Sequence, residues 1–145
     1  MGLFFARRAG KPRPARTPLR RGLAPALKSW VSLFLSTRAT MTTEKIDGVS
    51  VTTKASVYFD GKCVSHGITF PDGTKKSVGV ILPATLTFNT GAPEIMEGVG
   101  GSCEYKLDGT DTWVKSGAGE QFSVPGNSKF DIRVTEAYHY ICHFG

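Results

Sequence analysis

No Cys-x-x-Cys pair occurs in these 145 residues, and the three cysteines, Cys63, Cys103 and Cys142, are widely spaced and odd in number. That pattern excludes a disulfide framework and a zinc knuckle. It leaves buried free thiols in a reducing compartment, so a cytoplasmic protein is expected. No Gly-x-Gly-x-x-Gly follows a strand-like run, and no phosphate loop is present. Gly98-Val99-Gly100-Gly101 is glycine-rich, but it separates two strand-like runs with no helix start behind it, and it reads as a turn. After residue 41 no stretch of helical period with caps is found. The first 40 residues hold no acid at all. They also lack the unbroken apolar stretch of about 7–15 residues that a secretory signal needs, because Lys28, Ser29 and Ser32 interrupt the one candidate.

What is present divides the chain in two. Residues 1–40 carry nine Lys or Arg, whereas residues 41–145 carry nine bases and twelve acids, so a +9 end and a −3 remainder make the net +6. With four prolines and two Arg-Arg pairs the first segment is expected to be a disordered basic extension (1–40) to a single domain (41–145). Trp30–Leu35 fits a short helix within it. Three readings stand for this end. It is sequence upstream of a natural start at Met41, where composition changes abruptly, or an Arg-rich organelle transit peptide, or an arm for nucleic acid or membrane. Arg20-Arg21 followed by Gly22 and Pro25 fits twin-arginine export poorly. The folded part itself is mildly acidic, which argues against nucleic acid and membrane as its partners.

From Ile46 onward the chain reads as a succession of strands. Val49–Phe59 is rich in β-branched residues and ends at the hairpin signal Asp60-Gly61. Lys62–Phe70, Lys76–Leu82, Ala84–Asn89, Glu94–Val99, Ser102–Leu107, Thr112–Lys115 and Tyr138–Phe144 follow, separated by turns such as Pro71–Thr74 and Asp108–Asp111. Turns recur every 8–12 residues or so, the spacing of a β-sandwich or barrel. Gly119–Phe130 is expected to hold a hairpin: Phe122-Ser123-Val124, a turn at Pro125–Ser128, then Phe130–Val134 in strict alternation. On the last strand, alternation puts His139 and His143 on one side and Tyr138, Tyr140, Cys142 and Phe144 on the other. Cys142 and His143 therefore face apart and make a poor nucleophile–base pair. Two histidines with His66 far off in sequence make a poor metal site.

Gly119, five residues, then Pro125-Gly126 resembles the second motif of the cupins, small double-sheet β-barrels with a ligand in the barrel mouth. Their first motif is His-x-His, three or four residues, Glu, six residues, Gly. Thr87-Phe88-Asn89, four residues, Glu94, six residues, Gly101 has that spacing. Thr87 and Asn89 stand where the two histidines would be, and Phe130 stands where the second motif has its histidine. Only Glu94 survives of the four metal ligands, so no metal cofactor is expected. More closely, YFDGK (Tyr58–Lys62), SVGVILPA (Ser77–Ala84), TFNTGAPEIME (Thr87–Glu97) and GEQFSVPGNSKFDI (Gly119–Ile132) resemble the small bacterial pyrimidine/purine nucleoside phosphorylases over about residues 50–145. The resemblance implies an all-β, cupin-type double-sheet barrel without metal and a homodimer. It also implies cleavage of purine and pyrimidine nucleosides by inorganic phosphate to free base and ribose 1-phosphate.

Phosphorolysis puts a phosphate oxygen on C1′ as the base leaves, through a sugar of oxocarbenium character. Glu94 is the candidate to bind the ribose hydroxyls and stabilise that developing charge. Thr87 and Asn89, taken as inward by the motif comparison, are candidate neutral donors. Phe130 is a candidate apolar wall on which any base can stack, and Tyr58, Phe122 and Lys62 complete the expected substrate-binding set. Arg133 alternates away from Phe130 and is expected to point outward. The phosphate ligand is not assigned. With Thr87 and Asn89 inward, Leu86 and Phe88 would face out and call for cover by a second copy or by Val51–Phe59. A metal-free cupin that binds a sugar-like ligand without turning it over is the other reading.

Overall fold

The computed structural model describes residues 42–145. The basic extension 1–40, its Trp30–Leu35 run and Met41 lie outside the described residues. Eleven strands and one 3-10 turn make up the described chain. They are β1 (Ser50–Val51), β2 (Ser56–Tyr58), the turn Phe59–Gly61, β3 (Cys63–Thr69), β4 (Lys75–Ile81), β5 (Ala84–Asn89) and β6 (Glu94–Gly100). Then come β7 (Ser102–Leu107), β8 (Val114–Gly117), β9 (Gln121–Val124), β10 (Lys129–Val134) and β11 (Tyr138–Phe144). The fold is all-β, as the turn spacing predicts.

A large sheet runs β1-β3-β4-β11-β6-β9, with β2 also paired to β3, and a four-stranded sheet runs β5-β10-β7-β8. Every pairing is antiparallel. The core lies between them, with Ile81, Met96, Tyr138, Tyr140 and Cys142 from the large sheet against Leu86, Phe130, Ile132 and Val134 from the small one. Such two-sheet closure satisfies the backbone while leaving one end for a ligand.

Two expectations fail here. Val49–Phe59 is not one strand; it breaks at Thr52–Ala55 into β1 and β2, both on β3. More consequentially, the strands flanking Pro125–Ser128 do not form a hairpin. β9 pairs with β6 in the large sheet, whereas β10 pairs with β5 and β7 in the small one. Pro, Gly and Asn signal a sharp bend, but a bend does not say which strands pair. Here it carries the chain from one sheet to the other. The Thr90–Pro93 corner between β5 and β6 makes the reverse crossing, and the two corners are stapled together. Thr90 Oγ1 donates to the Pro125 carbonyl at 2.6 Å and accepts from the Ser128 amide at 3.1 Å. The Asn127 amide donates to the Gly91 carbonyl at 3.0 Å. Gly126 lies in a tight spot: a Cβ there would stand 3.0 Å from the Gly91 carbonyl oxygen and from Pro93 Cδ, so the facing corner would have to give way. Glu94 follows directly from this stapled pair.

Candidate active site

Alternation along β6 turns Glu94 and Met96 inward and Ile95 and Glu97 outward. On the adjacent β11, Tyr140 and Cys142 point the same way as Glu94. Beside β11 in the same sheet, β4 brings Ser77 and Ile81 and β3 brings Ser65, and the small sheet opposite brings Phe88 and Phe130. Together these side chains enclose a cavity of about 160 Å³, with Tyr58, Asn89 and Phe144 as its exposed members. Gly79 leaves the room that Tyr140 fills, since a Cβ there would lie 2.7 Å from the Tyr140 hydroxyl.

Among the described residues no Lys, Arg or His pairs with Glu94. Burial pushes its carboxyl above the usual carboxylate range, and the hydrogen bond from Cys142 Sγ, at 3.6 Å, offsets only part of that. Burial, and then the charge of Glu94, push the Cys142 thiol up to about 12, so it stays a neutral donor. Tyr140 OH meets Cys63 Sγ at 3.5 Å. Burial first, and then the neighbouring thiol, push this phenol above its ordinary range, so it too stays neutral. The cavity therefore offers hydroxyls, a thiol and one unpaired carboxylate. None of its described lining residues is Lys or Arg.

Of the residues expected at the site, the fold brings together Glu94, Asn89, Phe130 and Tyr58. Thr87 is a correction. It is exposed on the outer face of the small sheet, where it donates to Asp131 Oδ1 at 2.7 Å. The register of β5 against β10 is the reason: Phe130 lies opposite Phe88 and Asp131 opposite Thr87, and directly opposed residues share a face. Phe130 is 2% exposed, so Phe88 and Leu86 are inward with it. The expectation of an outward Leu86 and Phe88 is thereby overturned. Asn89, at the strand end, reaches the cavity only as part of its rim. Phe122 is buried core, stacked on Tyr105 at 3.9 Å, and does not line the cavity. Lys62 is exposed and closes the β2–β3 turn through its amide to Phe59 O at 3.1 Å. Arg133 points outward as expected, paired with Glu104 at 2.7 Å and lying over Trp113.

Ser65, Ser77, Tyr140, Cys142 and Phe144 also line the cavity, and sequence reasoning did not assign them to it. Alternation on β11 already grouped Tyr140, Cys142 and Phe144, and the missing signal was which sheet face closes over Glu94. Among the described residues, no group of three or more His, Cys, Asp or Glu is placed to hold a metal ion. His143 faces away from the cavity and meets Glu97 at 2.7 Å.

A family model described as Pyrimidine/purine nucleoside phosphorylase matches residues 53–144. The chain belongs to the pyrimidine/purine nucleoside phosphorylase family. The match takes in all strands from β2 to the end of the domain, and hence the whole cavity. A protein of that name from Paracidovorax citrulli is 90% identical over 105 residues, covering 72% of this chain and 100% of the relative. Another from Ralstonia pickettii is 80% identical over 104 residues, covering 72% and 99%. Among solved structures, a protein of unknown function from Acinetobacter sp. ADP1 superposes with a TM-score of 0.69 at 46% identity, covering 70% of this chain and 98% of that one. An RmlC-like cupin from Shewanella frigidimarina, at 15% identity and a TM-score of 0.52, covers 63% of this chain and 81% of its own, and shares the fold alone. This chain is therefore cupin-like in architecture, and of the four ligand positions marked by the spacing of the cupin motifs only Glu94 holds a ligand-type side chain.

Proposed function

We propose that this protein cleaves purine and pyrimidine ribonucleosides with inorganic phosphate, releasing free base and ribose 1-phosphate, in the cavity around Glu94. A phosphate oxygen forms the bond to C1′ while the C1′–N bond breaks, and the base takes up the proton that the hydrogen phosphate gives up. Phosphate takes the place of water in an otherwise ordinary glycoside cleavage. An unpaired, half-desolvated carboxylate inside a hydroxyl-lined cavity supports this reading most directly. With no cation beside it among the described residues, its charge is free to meet the positive charge that develops on the sugar. Ser65, Ser77 and Tyr140 offer neutral donors to the ribose hydroxyls and to phosphate, and Cys142 orients the Glu94 carboxyl. Phosphate-dependent release of base from uridine and adenosine tests the activity, and no release from either would end it.

The reaction as proposed calls for no metal, because the described cavity lining offers one carboxylate, Glu94, and a thiol that burial keeps protonated, with no imidazole among them. Full activity after exhaustive chelation is expected. Loss of activity together with a stoichiometric metal would refute it. A homodimer is also proposed, but through a face other than Leu86 and Phe88. The outer face of the large sheet carries Val64, Ile68, Val78, Val80, Val99 and Ile141, and the segment Thr43–Val51 covers it only in part, leaving a groove of about 590 Å³. The outer face of the small sheet carries instead the ion pairs Lys106–Asp131 and Arg133–Glu104. An apolar face on one side alone is suited to a second copy in a two-fold pair. Light scattering at micromolar concentration should give twice the chain mass. The three buried free thiols fit a cytoplasmic location.

A further inference from the structure

We propose that the sugar and phosphate occupy the cavity while the nucleobase stays at its mouth, against the exposed rings of Tyr58 and Phe144, so that nothing surrounds the base's edge. This rests on the phosphorylase reading and names how that site divides its substrate. Pockets that enclose a whole drug-sized ligand hold about 300 Å³ or more. The cavity around Glu94 holds about 160 Å³. A nucleoside with phosphate must therefore lie partly outside it.

The chemistry of the two zones decides which part is inside. The inner lining presents the buried Ser65, Tyr140 and Cys142 and the half-buried Glu94, groups that suit a polyhydroxylated ring. Aromatic faces inside are already taken. Phe130 stacks on Phe88 with centroids 5.5 Å apart and meets Phe122 edge-on at 5.9 Å. At the mouth, Tyr58 and Phe144 are each 46% exposed. Phe144 lies directly opposite Glu94 across β11 and β6, so a base there sits next to a sugar held by Glu94. The turn behind Tyr58 is built rather than relaxed. Phe59 and Asp60 both hold left-handed backbone angles, φ 51° and 54°, and the Phe59 ring packs edge-on against Phe88 at 5.0 Å. A bulky residue in that region is strained, and strain persists where the surroundings fix it. Tolerance of both base classes then follows from absence of enclosure. Hydrogen-bonding sites discriminate by leaving groups unpaired, and stacking does not.

The test uses the wild-type protein with adenosine and uridine beside analogues enlarged at opposite ends. N6-benzyladenosine should be cleaved with kcat/KM close to that of adenosine, whereas 3′-O-methyladenosine should lose on the order of 100-fold or more, as crowding in a filled site does. Tyr58→Ala and Phe144→Ala should raise KM for both nucleosides by roughly 5–150-fold. Inhibition by ribose 1-phosphate should be unchanged, which shows an intact cavity in each variant. Rejection of the benzyl analogue with turnover of the 3′-O-methyl one would place the base inside and overturn the proposal. Unchanged KM in both variants would overturn it as well. Cleavage of neither parent nucleoside would instead refute the activity, and the proposal with it.

Discussion

Glu94 and Glu97 stand three residues apart on one strand and have opposite surroundings. Glu97, on the outer face, accepts from Thr43 Oγ1 at 2.6 Å and from His143 Nε2 at 2.7 Å. Burial alone would push its carboxyl up, but those two hydrogen bonds, with the charges of His143 and Lys76, outweigh it and hold the group below its usual range. Glu94, on the inner face, has no cation beside it among the described residues, and burial prevails. A carboxylate whose charge is already matched stabilises the fold. One that is desolvated and unmatched keeps its charge for whatever enters the cavity, and this is how a perturbed group marks a site.

The largest expected effect breaks the comparison at its inner member. Glu94→Gln keeps the shape and removes the charge, so kcat should fall by on the order of 10²–10³, with a much smaller change in KM. In the wild type, kcat/KM should decline with falling pH as the carboxyl takes up its proton, and at a higher pH than an ordinary glutamate would give. That limb should be missing from the variant. Wild-type kcat in Glu94→Gln, measured in steady state, would reduce the carboxylate to a rim residue.

The outer member should respond in stability and not in rate. Glu97→Gln removes a charged acceptor from two partly buried donors, a loss of roughly 1–3 kcal/mol, read from the denaturant midpoint at pH 7. Its kcat on uridine should match the wild type. Thr43→Ala, which deletes one donor from the same carboxylate, should cost less, about 0.5–1.5 kcal/mol. A large drop in kcat for either variant would mean that the two faces of β6 are coupled.

Strand by strand, most of the fold was legible, because alternation and turn chemistry are local. β5, β7 and β11 begin and end where their patterns say. Pairing was not legible at Pro125–Ser128, since a sheet-crossing corner and a hairpin use the same residues. The inward face of β5 was not legible either. Motif spacing put Thr87 inside, and Phe130 was placed inside as well, yet the register sets Phe130 opposite Phe88 and allows only one of the two. Glu94 lines the cavity, as its motif position led one to expect. Ser65 and Ser77 could not be found, as nothing local says that β4 and β3 lie beside β11 in the sheet that carries Glu94.

The smallest effect sharpens the comparison through pH. Glu97 has a carboxyl held below its unfolded value, so its stabilisation is full above the unfolded value and is lost as pH falls through the folded one. Glu94 has the opposite sign. Its carboxyl is held above the unfolded value, so folding favours the protonated form. Ionisation then costs stability, fully once pH exceeds the folded value and not at all below the unfolded one. Glu94→Gln removes that cost. It should therefore raise the denaturant midpoint slightly at pH 7, and the gain should shrink to nothing as pH is lowered through the carboxylate range. The loss in Glu97→Gln should shrink over a lower interval of the same titration. One pH series of chemical melts on the three proteins decides between the signs. A destabilised Glu94→Gln at pH 7 would mean that its charge is matched after all, and the inner face of β6 would then need a cation partner to explain it.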